Sequence, residues 1–432
     1  MYFSQIRYIN NYMKIAILGS GGREHALTLS ISKSKKIKKI FCIPGNAGTS
    51  ELAENVSLDI NNFKLLKNFL SSNGIKFVIV GPEKPLVDGV VDFLEKFGIK
   101  VFGPNKTASQ LEGSKIFTKN LCKKYKIPTA NYGVFNKENE AIKFLKSAAH
   151  PIVIKADNLA SGKGVYICQN IVESEKAVFE IFKGKFGFTN KVLIEEFLVG
   201  EEMSYFIISD GKKIKSFETA QDHKRVQEGD KGKNTGGMGA YSPSRLYSKK
   251  LEQKILKKII QPTIKGISDL GTKYKGFLYA GLMIVNDEPY LIEYNVRMGD
   301  PECQTILPKL KSDLFEILDA CVEENLSDIK IKWDKRKSIC VVLCSNGYPD
   351  IYKKDIKINN FEKLIINKNN FVFHAGTKIK ENEIIAVGGR VLNFVSLSDD
   401  FSKARINIHN NLKKLNWKKG FYRKDIAFRV ID

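Results

Sequence analysis

Short apolar segments that end in a glycine turn recur in the first quarter of this 432-residue chain, and helix-like stretches separate them. The segments are "MKIAILGSGGREHAL" (13–27), "FVIVGPE" (77–83) and "KVFGP" (100–104), and the helix-like stretches lie at 63–74 and 85–98. Strands that alternate with helices predict a parallel α/β sheet over about residues 13–105. Ligands of such sheets bind at the carboxyl ends of the strands, which is where the glycine turns fall.

The pattern changes after a predicted helix at 114–129. Beyond it, longer loops separate the strand-like segments 151–157, 191–198, 203–210 and 290–295, as is typical of an α+β region, which extends to about residue 330. From about residue 336 the chain predicts a small α+β module, with strands at 338–345, 371–377 and 388–396 and an amphipathic helix near 401–415. Because the chain is too long for one ordinary core, we expect several domains.

The net charge of +23 raises the question of whether the chain binds nucleic acid. Its lysines are scattered among Ile and Asn residues, and no Arg-rich block or aromatic-interleaved basic stripe stands out. We therefore expect no nucleic-acid partner, although a positive field would draw small anionic substrates toward a cleft. No apolar run approaches the roughly 18 residues of a membrane span, so we expect no membrane partner either.

The cysteines predict a reducing compartment. Their number, seven, is odd and they include no CxxC pair, so we expect buried free thiols and a cytoplasmic protein. The first twelve residues contain one Arg and no apolar stretch of signal-peptide length. We interpret them as a dispensable extension before Met13.

The first candidate site is the glycine loop after the first predicted strand. Gly19, Gly21 and Gly22 open a helix, so backbone N–H groups and the helix N-terminus are placed to hold a phosphate. A dinucleotide site needs G-x-G-x-x-G, but the final position is Glu24, and "IFCIPG" ends without an acid for the ribose. An NAD site is therefore poorly supported, and a tight turn without a ligand is the alternative.

Two further segments have features of a nucleotide site. In "KADNLASGKGV" (155–165), a strand places Lys155 before glycines that let backbone amides approach phosphates, although the Walker A spacing is absent. In "LIEEFLVGEE" (193–202), Glu195 and Glu196 stand in an apolar strand, where backbone groups could bind adenine and an acid could meet a ribose hydroxyl. A solvated turn and an ordinary edge strand are the respective alternatives.

A long polar loop, "QDHKRVQEGDKGKNTGGMGAYSP" (221–243), has a length that usually serves a site. His223 lies in it between Asp222 and Lys224, which is unlike a satisfied core histidine. We interpret His223 as a candidate ligand contact, with a core position as the alternative.

The segment "LIEYNVRMGDPECQ" (291–304) begins as a strand and then fills with charge. Glu293 and Asn295 are two residues apart, so both side chains point to the same face of a strand. A carboxylate and an amide oxygen, with sites left for water and phosphate, suit Mg²⁺ held against a nucleotide. Arg297 could stabilise a transferring phosphoryl group or an acyl phosphate. A structural cluster of ion pairs is the alternative.

Taken together, the chain from Met13 onward resembles the glycinamide ribonucleotide synthetase (phosphoribosylamine–glycine ligase) family of the ATP-grasp superfamily. The matching motifs are "GSGGREHAL", "PGNAGT", "VGPEKPLVDGVVD", "FGP", "LEGSK", "IPTA", "VIKADNLASGKGV", "IEEFLVGEE", "QDHKR", "NTGGMGAYSP", "GFLYAGLM", "EYNVRMGDPE" and "FHAGT". The resemblance implies a multidomain α/β and α+β fold, with an N-terminal preATP-grasp parallel-sheet domain (13–114), a two-lobed ATP-grasp domain (115–335) and a small C-terminal α+β domain (336–432).

The resemblance also implies an activity and a set of site residues. The activity is ATP-dependent ligation of glycine to 5-phosphoribosylamine through glycyl phosphate, in purine synthesis, by a monomer or weak homo-oligomer. The metal, Mg²⁺ or Mn²⁺, would be held by Glu293 and Asn295. The expected ATP contacts are Lys115, Lys155, Gly162, Lys163, Gly164, Glu195, Glu196, Phe197, Leu198 and Glu202. The expected phosphoribosylamine contacts are Gly21, Gly22, Arg23, Glu24, Asn46 and Glu83. The residues expected where glycine and the acyl phosphate meet are Asp222, His223, Lys224, Arg297 and Asp300.

Two rival functions stay open. The first is another carboxylate–amine ligase or a carboxylase of the same superfamily, against which "GGREHA" together with "QDHKR" argues. The second is a basic nucleic-acid-binding protein.

Overall fold

The N-terminal part of the chain folds around a five-stranded parallel sheet with strand order β3-β2-β1-β4-β5. The computed structural model describes residues 12–159, 164–187 and 191–431. The elements of this part are β1 (Met13–Gly19), α1 (Gly22–Ile31), β2 (Ile37–Pro44), β3 (Glu54–Asn55), α2 (Phe63–Ser72), β4 (Phe77–Val80), α3 (Glu83–Asp88), α4 (Val90–Glu95), β5 (Lys100–Phe102) and α5 (Gln110–Gly113). The parallel sheet expected over 13–105 is confirmed.

The apolar pattern of β1 explains its central position in this sheet. Residues 15–18 have no exposed surface, because helices cover both faces of a parallel sheet. The helix predicted at 85–98 is divided into α3 and α4. Gly89 separates them with a φ of 97°, a left-handed conformation that glycine adopts without steric cost.

The next part of the chain forms a separate four-stranded antiparallel sheet with strand order β6-β9-β7-β8. Its elements follow α6 (Lys115–Tyr125) and are β6 (Tyr132–Phe135), α7 (Glu138–Leu145), β7 (Ile152–Ala156), β8 (Val165–Cys168), α8 (Ile171–Phe182) and β9 (Val192–Glu196). Helices α7 and α8 enclose with this sheet an apolar core that is distinct from the two larger cores. We call residues 132–196 the small lobe. The helix predicted at 114–129 ends earlier, at Tyr125, because Lys126 is left-handed with a φ of 55°.

A nine-stranded sheet forms the centre of the molecule. The elements in the middle of the chain are β10 (Glu201–Asp210), β11 (Ile214–Asp222), β12 (Arg225–Gln227), β13 (Lys231–Asn234), β14 (Gly239–Ser242), α9 (Lys249–Ile255), α10 (Gln261–Ser268), β15 (Lys275–Val285), β16 (Glu288–Asn295), α11 (Glu302–Ile306) and α12 (Leu314–Val322). Of these, β10, β11, β14, β15 and β16 belong to the central sheet. Strands β12 and β13 pair only with each other, within the long loop.

The C-terminal part continues this same sheet. Its elements are β17 (Lys337–Ser345), β18 (Ile356–Lys357), β19 (Asn370–His374), β20 (Thr377–Lys380), β21 (Glu383–Ala386), β22 (Arg390–Ser398), α13 (Phe401–Leu415) and β23 (Gly420–Phe421). The sheet has the order β16-β15-β10-β11-β14-β17-β22-β19, and its ninth strand, β23, also pairs with β17. In this order β14 pairs with β17 across the expected domain boundary. The predicted helix at 401–415 is confirmed as α13. The C-terminal module predicted from about residue 336 shares its sheet and its apolar core with the rest of the molecule.

All seven cysteines are free and buried, as expected. Within residues 12–159, 164–187 and 191–431, no helix has the length and apolar character needed to cross a membrane.

The separate core of the small lobe leads to a first prediction. Ile154 on β7 is completely buried there and pairs with Ile194 on β9. Ile154→Ala should destabilise the lobe by about 2–5 kcal/mol through lost burial and a residual cavity. Hydrogen exchange should show lost protection in β6, β7 and β9 while β10 and β15 keep theirs. Equal loss of protection in both sheets would show that the lobe does not unfold as its own unit.

Candidate functional site

Glu24, in the first turn of α1, hydrogen-bonds to the backbone of the glycine loop between β1 and α1. Glu24 is buried, its Oε2 accepts the Gly21 N–H at 2.6 Å and its Oε1 accepts from Arg23 Nε at 2.7 Å. The carboxylate therefore caps the N-terminus of α1, where it offsets the positive end of the helix. A side chain on Gly81 would place its Cβ 2.1 Å from Glu24 Oε1, so this glycine leaves room for the acid.

Asn46, expected beside phosphoribosylamine, is fully engaged within the protein. Its Nδ2 donates to the carbonyls of Ser20 and His374 at 2.8 and 2.9 Å, and its Oδ1 accepts the N–H groups of Gly48 and Thr49 at 2.9 and 3.0 Å. Asn46 thus ties the glycine loop to β19, and its side chain positions the loop.

Arg297 lies between two acids from the N-terminal part. Its Nη2 donates to Glu112 Oε1 at 2.6 Å, and its Nε lies 3.3 Å from Glu83 Oε2. The guanidinium holds the pKa of Glu83 down at about 2, whereas burial raises the pKa of Glu112 to about 7. Glu112 also accepts the Val296 N–H at 2.7 Å. Sequence reasoning did not select Glu112, although it stands in the "LEGSK" motif.

Asp300 is paired with a residue from the C-terminal part. Arg390 Nη1 lies 3.2 Å from Asp300 Oδ1 and donates to the carbonyl oxygens of Asp300 and Gly236 at 2.7 and 2.5 Å. Burial favours the neutral acid, but Arg390 and Arg23 hold the pKa of Asp300 below its usual value. No motif indicated Arg390, because its partners lie 90 and 154 positions away in the chain.

Three lysines gather around the expected nucleotide contacts. Lys155 Nζ lies 3.0 Å from Glu195 Oε1, and Lys119 Nζ lies 3.3 Å from Glu195 Oε2. Lys115 donates to the Asn158 carbonyl at 2.9 Å, and burial lowers its pKa. Three ammonium groups in this confined region can attract a polyanion. Lys119 is a further residue that sequence reasoning missed.

The acid-rich strand β9 ends two residues earlier than the predicted segment 191–198. Its last residue is Glu196, which is exposed and accepts two hydrogen bonds from Asn131, at 2.9 Å from the backbone and 3.0 Å from Nδ2. Phe197 and Leu198 follow the strand in a half-buried segment. Glu195 and Glu196 thus face opposite sides, so only Glu195 points into the lysine cluster.

The glycine segment after β7 is described only at its ends. Gly164 is buried and its carbonyl accepts the Ala156 N–H at 2.9 Å, next to the start of β8. Gly162 and Lys163, two expected ATP contacts, lie outside the described residues.

A β-bulge sets the direction of the expected metal ligands. Leu291 pairs with Leu282 and Glu293 with Gly281, so Ile292 is the extra residue on β16. The bulge lets both Leu291 and Tyr294 enter the apolar core while Glu293 and Asn295 share the other face. Among the described residues, neither the Glu293 carboxylate nor the Asn295 amide has a hydrogen-bond partner.

Glu293 and Asn295 can hold a cation only together with further oxygens from a bound phosphate and water. In the described part of the chain no group of three His, Cys, Asp or Glu side chains could hold a metal ion. Mg²⁺ commonly uses one or two protein oxygens together with phosphate oxygens and water. Nearby lysines and Arg297 hold the pKa of Glu293 below its usual value in spite of burial, so its carboxylate is charged.

Asp222 and Lys224 stand on the same face at the end of β11. Lys224 Nζ lies 2.7 Å from Glu202 Oε2, and Glu202 and Asp222 keep the pKa of this lysine well above its ordinary value despite burial. Burial, with Glu302 and Glu202 nearby, raises the pKa of Asp222 to about 7. This carboxyl can therefore exchange a proton near neutral pH.

The interpretation of His223 as a ligand contact is wrong. Its side chain has no exposed surface, its Nε2 accepts the Ala427 N–H at 3.0 Å, and its Nδ1 lies 3.3 Å from Asp230. Residues alternate across a strand, so His223 points away from the face that Asp222 and Lys224 share. It is a satisfied core histidine that anchors the C-terminal segment.

Comparisons with known proteins show which family the chain is similar to. Models of the phosphoribosylglycinamide synthetase N domain, ATP-grasp (A) domain and C domain match residues 13–112, 113–303 and 338–429. A phosphoribosylamine–glycine ligase of Caldanaerobacter subterraneus is 44% identical over 96% of this chain and 99% of its own. The crystal structure of phosphoribosylamine–glycine ligase from Thermotoga maritima superposes with a TM-score of 0.82 at 32% identity, over 96% of this chain and 100% of that one.

A more distant structure shares the fold alone. The biotin carboxylase domain of Hydrogenobacter thermophilus 2-oxoglutarate carboxylase, solved with MgADP and bicarbonate, has a TM-score of 0.70 at 17% identity. It covers 93% of this chain and 89% of its own.

Two buried histidines, His25 on α1 and His374 on β19, lead to a second prediction. The His374 N–H donates to His25 Nδ1 at 2.9 Å, and burial lowers the pKa of His25 to about 3 and that of His374 to about 4, from 6.5. Below pH 6.5 the unfolded chain therefore binds protons that the folded chain excludes, so stability falls as the pH drops from about 6.5 toward 4. Urea unfolding at several pH values should show this fall, with a shallower pH slope in His374→Gln; an unchanged slope would contradict the assignment.

Proposed function

The chain belongs to the phosphoribosylglycinamide synthetase family of ATP-grasp ligases, and on that premise we propose that it ligates glycine to 5-phosphoribosylamine. The products are glycinamide ribonucleotide, ADP and phosphate, in purine biosynthesis. The observation that carries this proposal is the position of Arg297. One guanidinium, two residues beyond the expected metal ligand Asn295, contacts Glu83 beside the glycine loop. The nucleotide side and the phosphoribosylamine side therefore meet at this residue.

The first step is phosphorylation of glycine. A carboxylate oxygen of glycine attacks the γ-phosphorus of ATP, the bond to the β,γ-bridging oxygen breaks, and glycyl phosphate and ADP form. Lys115 and Lys155 stabilise the phosphate charge, and Glu195, Phe197 and Leu198 line the adenine and ribose. Glu196 also belongs to this set, with its carboxylate held by Asn131.

The second step forms the C–N bond. The amine nitrogen of phosphoribosylamine attacks the carbonyl carbon of glycyl phosphate, phosphate leaves and the nitrogen loses a proton. We assign Asp222 as the acceptor of that proton, because its raised pKa of about 7 suits proton transfer at neutral pH. Arg297 stabilises the acyl phosphate, and Asp300, Lys224 and the Gly21–Gly22 loop orient the two reactants.

The cation site consists of Glu293 and Asn295. A bound Mg²⁺, or Mn²⁺, would offset phosphate charge and orient the nucleotide. Glu202, ion-paired with Lys224, lies at the nucleotide side of the same face. Glycyl phosphate and phosphoribosylamine are both labile, so exclusion of water is part of the function.

The setting of the activity is also a proposal. We propose a cytoplasmic monomer or weak homo-oligomer without nucleic-acid or membrane partners. The free buried cysteines support a reducing compartment.

The deciding experiment is ADP release by the full chain. We expect release that requires ATP, glycine and freshly made phosphoribosylamine together. A panel with bicarbonate and other carboxylates in place of glycine tests the rival carboxylase function. Release that bicarbonate supports and glycine does not would overturn the proposal.

Glu293→Gln should nearly abolish ligation, because an amide is a weaker cation ligand than a carboxylate. Turnover should fall by about 100-fold or more at low Mg²⁺, on the scale of losing a metal ligand's support, and recover partly at high Mg²⁺. Asp59→Ala is the control, because the exposed Asp59 carboxylate hydrogen-bonds to its neighbour Asn61 and stands outside the proposed site. Near-normal turnover of Glu293→Gln at low Mg²⁺ would refute the ligand assignment.

Glu112→Gln should alter the pH dependence of catalysis. Asp222 and Glu112 both have pKa values raised to about 7, so kcat/KM should fall steeply below neutral pH as both acids lose their charge. A plot of log kcat/KM against pH should rise on its acid side with a slope of about two in the native enzyme. In Glu112→Gln the slope should be about one, because one titrating acid has been removed. An unchanged slope would show that Glu112 does not act through its charge on Arg297.

A further inference from the structure

Lys119 on α6 is a buried lysine that the proposed mechanism does not use. Its side chain is 3% exposed. Its Nζ donates to Thr129 Oγ1 at 2.7 Å and to the Ala130 carbonyl at 3.4 Å, lies 3.3 Å from Glu195 Oε2, and sits 5.2 Å from the ring centre of Tyr132. A fully buried ammonium is rare and costly unless its surroundings are arranged for it. The contacts therefore indicate a specific task.

Lys119 lies next to the two connections that join the small lobe to the rest of the molecule, and this position indicates its role. The chain enters the small lobe through residues 126–131 and leaves it through residues 197–200. Asn131 and Glu196 bind these two connections together, with a further bond from the Glu196 N–H to the Asn131 carbonyl at 3.0 Å. Because the small lobe has its own apolar core, its placement on the large sheet depends on contacts at this junction.

Lys119 contacts both sides of the junction. On the small lobe it meets Glu195, which Lys155 also binds. Toward the large sheet it meets Thr129, whose hydroxyl donates to the Leu291 carbonyl at 2.6 Å. The Leu291 N–H in turn donates to the Pro128 carbonyl at 2.8 Å.

This chain of contacts ends next to the expected metal ligand. Leu291 and Ile292 directly precede Glu293, and Lys155 Nζ lies 3.5 Å from the Ile292 carbonyl. The backbone just before the bulge is therefore held from both the Thr129 and the Lys155 side. A shift of Lys119 would move the small lobe relative to Glu293.

The charges at the junction also indicate an anion. Lys119 and Lys155 share the single carboxylate of Glu195, and all three side chains are at most 5% exposed. This trio carries one more cation than anion, and the charged Glu293 carboxylate near Lys155 offsets only part of that positive charge. A polyanionic ligand between the lobes would compensate it.

We propose that Lys119 is a positioning residue for nucleotide binding: through Glu195 and Thr129 it fixes the small lobe on β16 and so sets the spacing between the lysine strand and Glu293. The proposal rests on the proposed function only in taking a nucleotide as the ligand between the lobes. In this role Lys119 acts through its contacts with Glu195 and Thr129.

Mg-ADP binding to the full chain, measured by calorimetry, tests this role without catalysis. Lys119→Met keeps the aliphatic stem and leaves Glu195 paired with Lys155. Its affinity for Mg-ADP should fall about tenfold or more, the scale of one lost charged hydrogen bond. Lys123→Met is the matched control, because Lys123 is an exposed residue of the same helix. It should bind Mg-ADP like the native protein.

Thr129→Val is a second, nearly isosteric variant that breaks only the link from Lys119 to Leu291. We expect a smaller loss of Mg-ADP affinity in the same direction. In steady-state kinetics both variants should raise the KM for ATP and leave the KM for glycine within about twofold, because the disturbance is confined to one lobe. A purely structural role would shift both constants together.

The outcomes separate the two proposals. If the native chain binds no Mg-ADP, the proposed function fails. If the native chain binds it and Lys119→Met binds it equally well, the positioning role is overturned while the function stands. Should Lys119→Met not fold, native-like Mg-ADP affinity in Thr129→Val overturns the role instead.

Discussion

The ion pairs of Arg297 with Glu83 and Glu112 connect the parts of this molecule that must act together. Arg297 follows β16, the strand of Glu293 and Asn295, whereas both acids come from the sequence region around the parallel sheet. Each group is at most a quarter exposed, so the pairs are only weakly screened by solvent. Because Glu112 also binds the Val296 N–H, the backbone that leads into Arg297 is fixed too. The position of the N-terminal part of the chain relative to β16 depends on these contacts.

The C-terminal part completes the site by extending the central sheet. Strand β17 pairs with β14, which follows the polar loop, so the loop is covered by C-terminal residues. Arg390 then reaches Asp300 and Gly236, and Ala427 binds His223. One sheet and one core therefore run across the boundary between the central domain and the C-terminal domain, so these two domains pack as a continuous unit.

The junction of the small lobe is built differently, and this explains why polar residues concentrate there. Apolar cores hold each lobe together, but Lys119, Glu195 and Thr129 join them through hydrogen bonds and ion pairs. Such contacts are directional and depend on the charge between the lobes. A ligand that brings negative charge can thus influence how the lobes are placed, which an apolar interface of the same size would not allow.

The sequence alone determined the elements whose residues are neighbours in the chain. The apolar period of β1, the glycines after it and the stripe of α13 are local patterns, and so is the two-residue spacing of Glu293 and Asn295. Only the tertiary structure decided which face that pair occupies, because the bulge at Ile292 shifts the alternation. Likewise, only the fold placed His223 in the core and brought Arg390 and Glu112 to the site. Burial and pairing over 90 or more residues depend on how whole elements pack, and no local pattern encodes that.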